Sequence, residues 1–74
     1  MKNLNLARAR KEKGLTQEEL AEKLGYSKAT VSNWENGYST PQLTDAFKVA
    51  SILGKDINHL FLIIKYKIII QRLI

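Results

Sequence analysis

A chain of 74 residues makes one small domain, and a single core of that size is marginally stable unless a metal, a disulfide or a partner supports it. There is no cysteine, which excludes disulfides and thiolate metal sites. The 12 Lys and Arg against 7 Asp and Glu give a net charge of +5, which suits a polyanionic partner and equally suits plain solubility. The opening stretch MKNLNLARARKEKG lacks an apolar run long enough for a secretory signal, so a cytoplasmic protein is expected. Asn3 as cap and Gly14 as stop predict a first helix over about Leu4 to Lys13, with Leu6, Ala9 and Arg10 on one face. Arg8, Lys11 and Lys13 make its basic outer side, open to phosphate contact or to solvation alone.

The next stretch, TQEELAEKLGYSKATVSNWENG from Thr16 to Gly37, reads as two short helices meeting at a fixed turn. Thr16 with Glu19 fits a capping box and Leu15 with Leu20 a hydrophobic staple, so a second helix is predicted over Gln17 to Leu24. Gly25 leaves that helix at a position where glycine alone adopts a left-handed backbone cheaply. Ser27 is a suitable cap for a third helix running to about Asn36, Tyr26 with Val31 repeats the staple spacing, and Gly37 is the stop. Leu20, Ala21 and Leu24 form one apolar stripe and Val31 with Trp34 another, which predicts that the two helices face each other. Lys28, Thr30, Ser32 and Asn33 are left on a polar outer face, whereas Glu18, Glu19 and Glu22 make the outer face of the second helix acidic.

With the proline of STP after it, this stretch resembles the phage repressor and Cro type of helix-turn-helix, the lambda-repressor-like or XRE-type family. The matching features are the Thr-Gln start, Ala21 at the close contact, Gly25 in the turn, the aliphatic Val31 and the Glu-Asn-Gly exit, within a similarity covering roughly Leu6 to Phe61. The resemblance implies an all-α fold, a compact five-helix lambda-repressor-like DNA-binding domain. It implies that Lys28, Ala29, Ser32 and Asn33 face the bases of double-stranded DNA, with Lys28 suited to guanine, Asn33 to adenine and Ala29 to a thymine methyl. Bland readings stand beside these: Lys28 on a phosphate, Ser32 solvating its helix. Gln17 matches the family glutamine that anchors a phosphate while bracing the reading helix, and Arg10 matches an arginine that pairs with the glutamate at Glu35. Ser27, Asn36, Tyr38 and Thr40 carry donors near helix ends, suited to the DNA backbone.

Thr40 before Pro41 predicts a fourth helix capped by Thr40 with proline at its first position, packed through Leu43, Ala46, Phe47, Ala50 and Leu53 and ended by Gly54. Asp56 caps a short fifth helix in which Ile57, Leu60 and Phe61 close the core. His59 has no second histidine, carboxylate or cysteine spaced to make a site with it, and no nucleophile and base or phosphate loop is visible, so neither an enzyme nor a cofactor is expected.

Residues 1–61 thus form the domain, and 62–74 an apolar tail read as a dimerisation element. The alternation in LFLIIKYKIIIQRLI favours a strand with Ile64, Tyr66, Ile68 and Ile70 on one face; a helix continuing from Leu60 is the competing reading. Lys65, Lys67 and Arg72 interrupt the run, and a membrane span needs about 20 apolar residues. A second copy is the simplest cover for this surface, with folding back onto its own domain left open. Such a homodimer spaces two reading helices about one DNA turn apart, roughly 34 Å, and selects a palindromic operator. The expected function is therefore a transcriptional repressor. The alternative is an antitoxin whose tail covers a toxin partner and which autoregulates through the same motif.

Overall fold

A computed structural model describes residues 1–61. They form five helices, α1 (Leu4–Glu12), α2 (Gln17–Leu24), α3 (Lys28–Asn36), α4 (Leu43–Leu53) and α5 (Ile57–Leu60), in the all-α arrangement of a lambda-repressor-like domain. None of the described helices is long and apolar enough to cross a membrane. The core is one cluster built around Leu6, Leu20, Val31, Val49 and Leu60, all fully buried, with Trp34, Ala46, Leu53 and Phe61 joining them.

The ends of α2 are closed by its own residues. Thr16 Oγ1 accepts from the Glu19 amide and Glu19 Oε1 accepts from the Thr16 amide, each at 3.0 Å, so two orphan donors are satisfied reciprocally. The Thr16 amide, followed by its hydroxyl, holds the Glu19 carboxyl below its ordinary value. Gly25 sits in the left-handed region at φ 78°, and the Tyr26 amide reaches back to the Ala21 carbonyl at 2.9 Å. That bond consumes a carbonyl the helix end would otherwise leave open. Ala21, only 1 % exposed, lies on the buried face of α2 toward α3, where a larger side chain would force the two apart.

Three details differ from the sequence reading. Helix α1 ends at Glu12, with Lys13 as its cap. Helix α4 begins at Leu43, so Thr40 does not cap it and Pro41 precedes it; Gln42, extended at ψ 157°, is the cap residue, without a side-chain bond. The physical reason is burial: the Pro41 ring packs inward beside a cleft it shares with Trp34 and Leu60, and the chain turns into a helix only beyond it. The buried stripe of α4 is then Ala46, Val49, Ala50 and Leu53, which leaves Phe47 one position off the stripe and 56 % exposed.

Asn3 joins three helices at one point. Its Oδ1 accepts from the Leu6 amide at 3.0 Å and caps α1, its own amide donates to the Glu35 carbonyl at 2.7 Å, and its Nδ2 donates to the Leu60 carbonyl at 2.6 Å. Helix α5 ends there, and Phe61 is extended at φ −137° and ψ 154°; the strand and helix readings of the tail both lie outside the described residues. Ile64, Tyr66, Ile68 and Ile70 lie outside the described residues.

Candidate nucleic-acid interface

Helix α3 buries Val31, Trp34 and Glu35 and turns the opposite side outward. Lys28, Ala29 and Asn33 are exposed on that side and Ser32 is half-buried beside them, so the four positions share one helical face. Asn36 turns back along the helix, donating from Nδ2 to Ser32 Oγ at 3.2 Å. That bond occupies the Ser32 oxygen and holds Asn36 against its own helix.

The inner side of α3 is fixed by a buried ionic network. Arg10 and Glu35 are 8 % and 7 % exposed. Arg10 Nε donates to Glu35 Oε2 at 2.6 Å and its Nη2 to Oε1 at 3.1 Å, a bidentate geometry that suits the planar guanidinium. Gln17 Nε2 donates to the same Oε1 at 3.1 Å, and Arg10 Nη1 to the Leu15 carbonyl at 2.7 Å. One carboxylate on α3 therefore ties together α1, the following loop and the first residue of α2. Helix α3 cannot roll without breaking several charge-assisted bonds.

A shallow concavity opens beside this network, lined by Arg10, Lys11, Gly14, Leu15, Thr16, Gln17, Glu18 and Lys28. It brings Gln17 and Lys28 together with Lys11, which the sequence offered only as one of three basic residues on the first helix. The N-terminus of α2 also lines it, with the Thr16 and Glu19 amides already taken up by the capping box and Glu18 setting a negative charge among the basic side chains. At the other end of α3 the Tyr38 amide is taken up by the Asn33 carbonyl at 2.9 Å, so only the phenol of Tyr38, 80 % exposed, faces outward. Thr40 is exposed in the same linker.

One expectation at the turn needs correction. Ser27 occupies the cap position of α3, but its side chain makes no capping bond; Oγ lies 3.4 Å from Thr30 Oγ1, and the two hydroxyls engage each other. The ring of Tyr26 packs edge-on against Trp34, with centroids 5.8 Å apart and planes at 83°. Its hydroxyl donates a hydrogen bond to Asp45 Oδ2 at 2.6 Å, and this bond to a carboxylate is the main cause that raises the phenol above its ordinary value. Sequence reasoning missed Asp45 altogether. An acid in the first turn of a helix normally signals dipole stabilisation at the surface, and nothing in the local pattern marks this one as buried.

Comparison with known proteins agrees with this geometry. A family model described as helix-turn-helix matches residues 6–60. An uncharacterised HTH-type transcriptional regulator of Methanothermobacter thermautotrophicus is 44 % identical over 55 residues, covering 73 % of this chain and 80 % of the relative. Another, from Sinorhizobium fredii, is 39 % identical over 59 residues, covering 80 % and 74 %. The antitoxin HipB of Escherichia coli is 46 % identical over 44 residues, 60 % of this chain and 50 % of HipB. No solved structure shows a significant match.

Proposed function

The chain belongs to the helix-turn-helix family, and from that premise we propose that it is a sequence-specific, DNA-binding transcriptional regulator, a cytoplasmic repressor that occludes an operator. The observation that carries the reading is α3, whose inner face is locked by the Arg10, Glu35 and Gln17 network while Lys28, Ala29 and Asn33 stand exposed on the outer face. A rigid helix with one polar, uncommitted side is what major-groove readout requires. Lys28 and Asn33 supply hydrogen bonds to base edges, Ala29 admits a thymine methyl, and Ser32 donates from its hydroxyl. The concavity beside Lys11, Gln17 and Lys28 receives a backbone phosphate, and Ser27 at one end of α3 with Asn36, Tyr38 and Thr40 at the other are further contacts to the DNA backbone. The tail residues Ile64, Tyr66, Ile68 and Ile70 pair two copies, which sets two reading helices on a palindrome.

The test is selection of random duplexes by the full chain, followed by Asn33→Ala on the enriched sequence. A palindrome should be enriched, and the substitution should relax preference at one base position per half-site, at a cost of about 1–3 kcal/mol. Failure to enrich any sequence refutes the reading. Uniform weakening on all duplexes would instead assign Asn33 to a phosphate.

The similarity to HipB favours a second reading, in which the same domain is an antitoxin and its tail covers a toxin. Sedimentation equilibrium of the full chain beside one ending at Phe61 separates the two. A dimer that becomes a folded monomer on truncation supports the repressor. Monomers in both cases, with a stoichiometric unrelated protein co-purifying from the native host, support the antitoxin.

A further inference from the structure

The base-facing end of α3 has little of its own to hold it. Ser27, Lys28 and Ala29 are all exposed, no side chain caps the helix, and Val31 is its first buried residue. The residue just before them is anchored three ways. Tyr26 is bonded through its amide to the Ala21 carbonyl of α2, stacked T-shaped against the Trp34 ring of α3, and bonded through its hydroxyl to Asp45 of α4. Asp45 is 8 % exposed and belongs to the buried side of α4, so the phenol is tied to a carboxylate that the core holds in place.

From this geometry we infer that Tyr26 is a positioning residue for DNA reading: by clamping the turn to Asp45 it fixes the first turn of α3, and with it Lys28 and Ala29. The inference rests on the DNA-reading function proposed above and adds a determinant of specificity that touches no base. The hydroxyl that donates to Asp45 is committed to that carboxylate, which makes Tyr26 a strut in place of a phosphate contact. Phosphate contacts govern affinity for every duplex alike, whereas the placement of Lys28 and Ala29 governs discrimination between duplexes. Loosening the strut therefore acts on the ratio of specific to non-specific binding.

The experiment compares the full chain with Tyr26→Phe, Asp45→Asn and the double variant Tyr26→Phe/Asp45→Ala. The phenylalanine keeps the ring against Trp34 and removes only the hydroxyl. It also leaves a buried carboxylate without its donor, so the double variant, which removes both, covers the case in which the single variant does not fold. Asp45→Asn keeps an acceptor for the hydroxyl and is the conservative rescue.

The first readout needs no DNA. The Thr30 amide, bonded to the Ser27 carbonyl at 3.0 Å, reports opening of the first turn of α3, and the Leu20 amide, bonded to the Thr16 carbonyl at 3.0 Å, reports α2 as a control. Hydrogen exchange at Thr30 should quicken about tenfold without the hydroxyl, while Leu20 changes no more than global stability requires. The second readout is the affinity ratio between the selected duplex and a scrambled one of equal length. It should fall about five- to tenfold in both hydroxyl-less chains and stay within about twofold of wild type in Asp45→Asn. Unchanged exchange at Thr30 overturns the clamp, and an unchanged ratio overturns its role in reading. Enrichment of no duplex by the wild-type chain would refute the DNA function itself, with Thr30 exchange still deciding the clamp.

Discussion

Replacing Arg10 by Met removes the positive half of a pair in which both partners are more than nine-tenths buried. Glu35 would keep the Gln17 amide at 3.1 Å as its donor, too little to hold an ionised carboxylate out of water. The Leu15 carbonyl would also lose its 2.7 Å bond from the guanidinium. Stranding one member of a buried pair costs about 3–5 kcal/mol. A 74-residue chain at roughly 0.05–0.15 kcal/mol per residue has about 4–11 kcal/mol of total stability, so this single change removes about a quarter of it or more. At the lower figure the thermal midpoint should fall by about 12–24 °C. Urea unfolding followed by the fluorescence of Trp34, the sole tryptophan and the neighbour of Glu35, measures the loss directly. The companion is Arg10→Met with Glu35→Leu. Because desolvating the pair offsets most of its attraction, an apolar replacement of both residues should recover much of the lost stability, short of what the Leu15 carbonyl and the Gln17 amide lose with their partners. A single variant that unfolds at the wild-type urea concentration would refute the argument. So would a double variant no more stable than the single one, which would mean that the cost lies in lost packing.

Other expectations follow from particular residues. The folded state depresses Glu19, so its contribution is present at pH values above the ordinary carboxyl value of 4.5 and is lost as pH falls through the lower folded value. The urea midpoints of wild type and Glu19→Gln should therefore converge in acid; a constant gap would show that the capping carboxylate is not the titrating group. Alanine at Gly25 or Gly37 must adopt φ near 78°, at a cost of about 1 kcal/mol, but only at Gly37 would the new Cβ overlap the backbone carbonyl of Met1. Gly37→Ala should be the more destabilising, and equal losses would mean that residue 1 does not pack there. Ile68→Lys should abolish the proposed dimer at micromolar concentration by sedimentation; an unchanged mass would sink the proposal that the tail pairs two copies.

Much of the motif was legible because its signals are local. The capping box at Thr16 and Glu19, the left-handed stops at Gly25 and Gly37 and the spacing of Val31 and Trp34 each operate within one or two helical turns, where chain geometry alone links sequence to structure. The start of α4 was misread for the complementary reason. Thr40 and Pro41 carry a local helix signal, but burying the proline ring outweighed it, and with the start moved to Leu43 the apolar periodicity that had included Phe47 turned toward solvent.

The sequence by itself therefore determined that five helices would form in this order and that the third would leave a polar face outward. Resemblance supplied one of the pairs that hold that helix, Arg10 with Glu35, and tertiary structure alone decided the others. Glu35 meets Arg10 across 25 positions and Tyr26 meets Asp45 across 19, and Asn3 reaches Leu60 across 57. No periodicity encodes such pairs, because each depends on how separate helices pack before a polar side chain can find, in the space left between them, the one partner that satisfies it.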